Sequence, residues 1–239
     1  MEHLEELRQR LFRIISFLAV GMLVGWFLAL DVYEYLEDLV RRNVAPGVPY
    51  EPFFKDLTAA FMLHLKMAFY IGLFVTLPFT VHQLWGFVAP GLRPNERKPF
   101  KIVAPVSTVL FFAGSAACWF ILPVTVTWLT SFTQEFPNTK MMLEAGSMVF
   151  LLIKMILSFG VGFQMPIVVF VLARLEIVTP QAMLKYWRHA VVAVVVASAV
   201  ITPSGDPLSL AVLAVPLIGL FFLSVYVARW SLRKQREKE

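Results

Sequence analysis

The chain has 239 residues, 59% of them hydrophobic and 15% charged, and a net charge of +5; a soluble domain carries about 45–50% apolar and about 25% charged residues. So apolar a chain cannot cover itself with a polar surface in water, so lipid is the solvent for much of it, and the positive balance reads as topology-fixing basic residues rather than a nucleic-acid surface. Cys118 stands alone, which excludes an internal disulfide and a thiolate metal cluster.

A membrane span needs about 20 predominantly apolar residues. Residues 11–30 form the first predicted span, with Arg13 near enough to its end to reach the headgroups. It is too long for a signal peptide, has no small-residue cleavage site and is followed by further spans. Residues 65–89, 102–132 and 148–173 form the second to fourth. The third is longer than one straight span requires, so Pro105 or Pro123 is expected to kink or end it. The last two, 187–202 and 208–228, flank a TPSGDP turn and read as a short hairpin. Its first arm reaches about 24 Å at about 1.5 Å per residue, less than the hydrocarbon thickness of about 30 Å. The alternative is a longer helix that begins before Trp187.

Basic residues fix the orientation. Fifteen lysines and arginines, from Arg8 to Lys238, fall on the side of the termini. Six (Arg41, Arg42, Lys55, Lys66, Lys140 and Lys154) fall on the other, so both termini are expected in the cytoplasm. The chain reads as a single polytopic membrane domain, 1–239, with residues 31–64 as an outer cap. Within the cap, VYEYLEDLVRRN reads as a separate short amphipathic helix with Val32, Tyr35, Leu36 and Leu39 on one face, ended by Ala45-Pro-Gly-Val-Pro.

No metalloprotease, Walker, dinucleotide or nucleophile-elbow motif is present, and His3, His64, His82 and His189 lie on separate segments without ligand spacing. Ser115 or Ser158 could serve an intramembrane protease only with a histidine from another span, and both read better as packing residues. Gly21 and Gly25 form a GxxxG pair that lets another helix approach. The cytoplasmic acids are more informative: Glu5 and Glu6 in HLEELRQR, and Glu96 in PGLRPNERK. Two readings stand. They neutralise neighbouring arginines at the interface, or they converge on a cationic ligand such as adjacent arginines of a peptide, which carboxylates bind bidentately.

These residues carry a resemblance. His3-Leu4-x-Glu6-Leu7-Arg8-x-Arg10-Leu11, then Gln83-Leu84-Trp85-x-Phe87-Val88-Ala89-Pro90-Gly91-Leu92 with Glu96-Arg97, resemble the TatC family, the multi-spanning core of the twin-arginine protein translocase. Phe159-Gly160-Val161-x-Phe163 with Pro166, and Thr202-Pro203 with Asp206, extend the match over nearly the whole chain. The resemblance implies an all-α integral membrane protein, six transmembrane helices in a curved, glove-like arrangement with the last two short. It implies a receptor rather than an enzyme, without cofactor or metal, in the bacterial cytoplasmic (inner) membrane. Its partners would be twin-arginine signal peptides of folded cargo, single-span TatA- and TatB-like subunits, membrane lipid and further copies of itself, but no nucleic acid. The proton-motive force would drive export. Glu6 and Glu96 would hold the two arginines, Arg8, Phe87, Pro90 and Arg97 would shape the same patch, and Asp206 would be an important outer-face acid.

Three positions depart from the family pattern. Gln164 stands where a glutamate is frequent in the fourth span, Phe222 where one is common in the sixth, and Ala59 where an acid precedes the second, with Asp56 nearby. Gln164 keeps hydrogen bonding without a buried charge, either to a neighbouring helix or to a partner helix across the surface of the fourth and fifth helices. A solute transporter would predict intramembrane charges and broken helices in paired repeats, whereas the chain shows only Lys66 and Lys154, near span ends, and no repeat. An intramembrane hydrolase lacks a nucleophile–base pair.

Overall fold

The computed structural model describes residues 2–88, 97–136, 141–175, 177–201 and 207–236. The elements are, in order, α1 (Glu2–Asn43), β1 (Glu51–Phe53), α2 (Ala59–Val88), α3 (Arg97–Ser131), β2 (Met142–Glu144) and α4 (Ala145–Gly162). They continue with α5 (Met165–Arg174), α6 (Pro180–Lys185), α7 (Trp187–Ile201) and α8 (Pro207–Arg236). Among the described residues, five stretches are long and apolar enough to cross a membrane, one of them Ala145–Arg174 across the α4–α5 junction, and Trp187–Val200 is a shorter apolar helix. The chain divides into two compact units, Met1–Phe87 with Cys118–Lys154, and Val88–Ala117 with Met155–Glu239.

In the first unit, α1 is one helix of 42 residues. The separate cap helix expected at 32–43 is therefore its continuation. Nothing between Leu30 and Val32 breaks a helix, and Asp31 can face water without leaving helical geometry. Beyond the span, Glu37–Arg41 and Asp38–Arg42 ion pairs, at 2.8 and 2.7 Å, follow the favourable acid-to-base i,i+4 order. The two arginines also oppose the negative end of the helix dipole. Leu36, Leu39 and Val40 are buried, whereas Tyr35 lies on the outside and stacks on Trp119 at 5.0 Å.

Thr127 Oγ1 donates to the Asn43 carbonyl, and the Ala45 N–H donates to Thr130 Oγ1 at 2.9 Å. The end of α1 is thereby tied to the end of α3. The chain then turns through Gly47 at φ 82°, a left-handed conformation that glycine adopts without steric cost. It enters β1, which pairs in parallel with β2 in the register Glu51–Met142, Pro52–Leu143 and Phe53–Glu144. This ladder has no local sequence signal.

The GxxxG pair is the place where α1 meets α2. A Cβ on Gly21 would stand 2.8 Å from the Gly72 carbonyl oxygen, and one on Gly72 would stand 2.6 Å from the Met22 nitrogen. The two backbones touch, and only glycine permits that distance. Beside the seam, His64 Nε2 lies 3.0 Å from the Trp26 carbonyl oxygen and its ring packs on Trp26.

Neither Pro105, in the second unit, nor Pro123, in the first, ends α3, which runs through both. The fourth apolar segment is the one that breaks. Phe163 and Gln164 form a turn between α4 and α5, and Pro166 is the second residue of α5. Proline has no N–H to return to the Gly162 carbonyl, and its ring crowds that oxygen. The following N–H groups, of Ile167 and Val168, both donate to the Gln164 carbonyl instead.

Thr179 caps α6 by accepting from the Ala182 N–H, and Pro180 takes the first helical position. Tyr186 separates α6 from α7, so the helical path does begin before Trp187 but with a step in it. At 15 residues α7 reaches about 22 Å, short of the hydrocarbon thickness. The shortness belongs to α7 alone, since α8 runs for 30 residues and past the expected end at 228. α8 packs on α5, α6 and α7 around Val169, Met183, Phe221 and Val225.

Candidate functional site

The HLEELRQR and QLWGF motifs meet where α1 begins and α2 ends. Glu6 and Arg10 stand one turn apart on the same face of α1. Glu6 Oε1 accepts from Arg10 Nη2 at 2.6 Å and from Nε at 3.2 Å. The third edge of the same guanidinium, Nη1, donates to the Gln83 carbonyl of α2 at 3.1 Å. Gly86 makes room for it: a Cβ there would collide with Arg10 Nη1. The planar fork of an arginine suits this arrangement, because it can serve a carboxylate and a carbonyl in one plane. Arg10 therefore joins HLEELRQR to QLWGF and presents a carboxylate already engaged with a guanidinium.

Arg8 lies about 200° around the helix from Glu6, at about 100° per residue, and its guanidinium stands over the Phe12 ring at 5.6 Å. Phe87 falls in the last turn of α2 and Arg97 opens α3. Pro90, Glu96 and Asp206 lie outside the described residues. Arg10 and Gln83 belong to the motifs but carry no role from sequence, and Gly86 falls at an unassigned motif position. The Glu6–Arg10 spacing was the available signal, since i,i+4 acid–base pairs face each other on a helix.

Gln164 lies in the second unit, in the α4–α5 turn. Its Nε2 donates to the carbonyl of Ser107, a buried residue of α3, at 3.0 Å. Around this bond the helices are close. A Cβ on Gly114 would stand 2.6 Å from the Phe159 carbonyl oxygen, and one on Gly160 would stand 2.7 Å from Ser115 Oγ. Ser115 itself turns toward the Ile156 carbonyl at 3.5 Å, so it belongs to this packing. Phe222, on α8, stands against Trp187 and Phe221. Ala59 is the first residue of α2.

Together these features define a multi-pass helical membrane protein with a carboxylate–guanidinium pair that joins the start of one long helix to the end of the next. The family model described as "Sec-independent protein translocase protein (TatC)" matches residues 2–216. The Koribacter versatilis protein named Sec-independent protein translocase protein TatC is 34% identical over 241 residues, covering 100% of this chain and 88% of its own. The Bacillus subtilis protein named TatCy is 33% identical, covering 99% of this chain and 91% of its own. A crystal structure described as the twin arginine translocase receptor TatC superposes with a TM-score of 0.82 at 26% identity, covering 96% of this chain and 99% of that one. The same receptor crystallised in DDM superposes with a TM-score of 0.83 at 27% identity. The chain belongs to the TatC family of Sec-independent protein translocase components, a family of transport proteins rather than of catalysts.

Proposed function

We propose that the chain is the receptor for twin-arginine signal peptides at the cytoplasmic face of the bacterial inner membrane, with both termini in the cytoplasm. The observation that carries this reading is the Glu6–Arg10–Gln83 lock, a carboxylate that holds a guanidinium through two N–H groups. A carboxylate offers about four lone-pair sites, so a peptide arginine can displace or share with Arg10. Glu96 takes the second arginine, and Arg8, Phe87, Pro90 and Arg97 border the pair. Single-span TatA- and TatB-like subunits assemble with the receptor in lipid, where copies of the chain also associate. Asp206 acts at the outer face, and proton-motive force drives export.

Gln164 stands near the partner surface formed by the fourth segment and α7. Its amide is engaged with Ser107, so it acts on a partner by fixing α3 against the α4–α5 turn. Co-purification of the single-span subunits should fall in Gln164→Leu, and unchanged co-purification would count against that role.

The receptor reading is tested by photo-crosslinking a twin-arginine signal peptide to membranes that hold the protein. Charge-assisted hydrogen bonds are each worth about 1.5–3 kcal/mol. Glu6→Ala and Glu96→Ala should each therefore cut the crosslink about tenfold or more. Substituting two lysines for the peptide arginines should weaken it as well, because an ammonium cannot make the forked contact. Unchanged crosslinking in both glutamate variants would sink the site, and equal binding of the lysine peptide would sink the bidentate argument.

A further inference from the structure

The Glu6–Arg10 contact uses less of each group than the two could give. Both Arg10 N–H groups in the pair, Nε and Nη2, fall on the same carboxylate oxygen, Oε1. A full fork runs two parallel bonds to two oxygens and gains strength and direction from it. The third edge of Arg10 goes to the Gln83 carbonyl instead. That carbonyl does not depend on Arg10. α2 runs on to Val88, past the residue whose N–H serves it within the helix, and its second lone pair takes the guanidinium.

Of the two side chains the carboxylate is the outer one, 35% exposed against 19% for the guanidinium. A ligand arriving from solvent therefore meets Glu6 first, and finds it already bonded to a guanidinium. Partly exposed i,i+4 pairs are weak, worth up to about fivefold in a binding constant. Charge-assisted forks from an unconstrained arginine are stronger. Gly86 leaves the space in which the resident group sits: a Cβ there would collide with Nη1, the far end of a flexible side chain that can swing aside.

We infer, on the receptor reading of Glu6, that Arg10 is a resident competitor, a tethered copy of the group the site receives, which a peptide arginine must displace. Being tethered, it competes at an effective concentration that the peptide cannot dilute. Displacing it costs every cationic ligand the same amount. Arg10 therefore weakens arginine and lysine peptides by one common factor and leaves their ratio untouched. Peptides that make a forked contact stay above this threshold, and those that make a single-point contact fall below it.

The test is titrated photo-crosslinking of a twin-arginine signal peptide, and of the same peptide with two lysines, to membranes that hold the full chain. The quantity read is the half-saturating peptide concentration. Arg10→Gln should lower it by up to about fivefold for both peptides, at an unchanged ratio between them. Arg10→Lys keeps the charge but loses the fork, and should lower it by a smaller factor. Gly86→Ala leaves both charged groups in place and displaces Nη1. It should also lower the concentration, and it answers the question if the arginine variants do not fold. Arg13 stands about 10 Å further along the helix than Glu6, beyond about one Debye length, so Arg13→Gln should change the reading by less than about twofold. Adding Glu6→Ala to Arg10→Gln should remove the gain.

Weaker or unchanged binding in Arg10→Gln, Arg10→Lys and Gly86→Ala would overturn the inference and make Arg10 a strut between α1 and α2. A changed arginine-to-lysine ratio would overturn it too, because Arg10 would then take part in reading the peptide. So would a gain that survives Glu6→Ala. Failure of the receptor reading looks different: Glu6→Ala in the otherwise wild-type chain would leave the crosslink unchanged, and the inference would fall with it.

Discussion

Replacing Gly72 by alanine should force α1 and α2 apart. The added Cβ would stand 2.6 Å from the Met22 nitrogen, 2.7 Å from the Gly21 carbonyl carbon and 2.9 Å from the Gly21 oxygen. Carbon contacts settle at about 3.5–4.0 Å, so the seam must open by roughly 1 Å. All three atoms are backbone and no rotamer change can relieve the clash. Overpacking of this kind costs about 1–3 kcal/mol. Gly219 supplies the comparison, because it too lies in a helix and a Cβ there meets nothing within 4 Å. Both substitutions gain the same helix propensity, about 1 kcal/mol, so their difference isolates the clash. Thermal unfolding in detergent, followed by monodispersity, should place Gly72→Ala below Gly219→Ala by several degrees, at about 2–4 °C per kcal/mol for a chain of this size. Equal transition temperatures would refute the claim that the backbones touch.

Other outcomes follow from the same geometry. Glu6→Gln should leave thermal stability within about 0.5 kcal/mol, since an i,i+4 pair at a partly exposed helix end is worth little; crosslinking of the signal peptide should nevertheless fall. A stability loss of several kcal/mol would instead make the lock a structural element. Gln164→Glu should be destabilising at neutral pH, because an ionised carboxylate cannot donate to the Ser107 carbonyl and a protonated one can. The variant should inactivate thermally before the wild type, and equal inactivation temperatures would refute the bond. Tyr50, in the connection between α1 and β1, has its phenol pushed from 10.0 to about 12, first by burial and then by the Glu37 and Tyr33 charges, with Arg41 opposing. Its proton is held more tightly in the folded chain, so this contribution is intact below pH 10 and declines between about pH 10 and 12. Absorbance titration should show a late-titrating phenol that Tyr50→Phe removes.

Much of this architecture was legible because lipid imposes a simple rule, about 20 apolar residues per crossing. The Gly21–Gly25 pair was legible for a similar reason, because close helix approach needs small residues at that spacing. The cap was harder. Asp31, Glu34, Glu37 and Asp38 mark where α1 leaves the apolar medium, but a change of solvent does not end a helix, so α1 runs on to Asn43. Its end is set instead by bonds to Thr127 and Thr130, distant in sequence. The parallel pairing of residues 51–53 with 142–144 is likewise non-local and too short for periodicity to reveal. Prolines differ in whether they end a helix. Pro105 and Pro123 are carried inside α3, whereas Pro166 acts together with Gly162 to separate α4 from α5. In the candidate site, residue types were readable from the motifs, but the third contact of the Arg10 fork depends on how closely α2 approaches, which only the fold supplies.

The unbroken course of α1 has a mechanical meaning. From Glu6 to Asn43 it is one rod of about 55 Å, gripped at one end by Gln83 and at the other by Thr127. Pressed against Gly72 near its middle, it has a fulcrum and no hinge. A push on the carboxylate end cannot be absorbed by bending at a weak point. One continuous helix thus carries both the Glu6–Arg10 pair and the contacts of the cap, so the two regions share a single structural member.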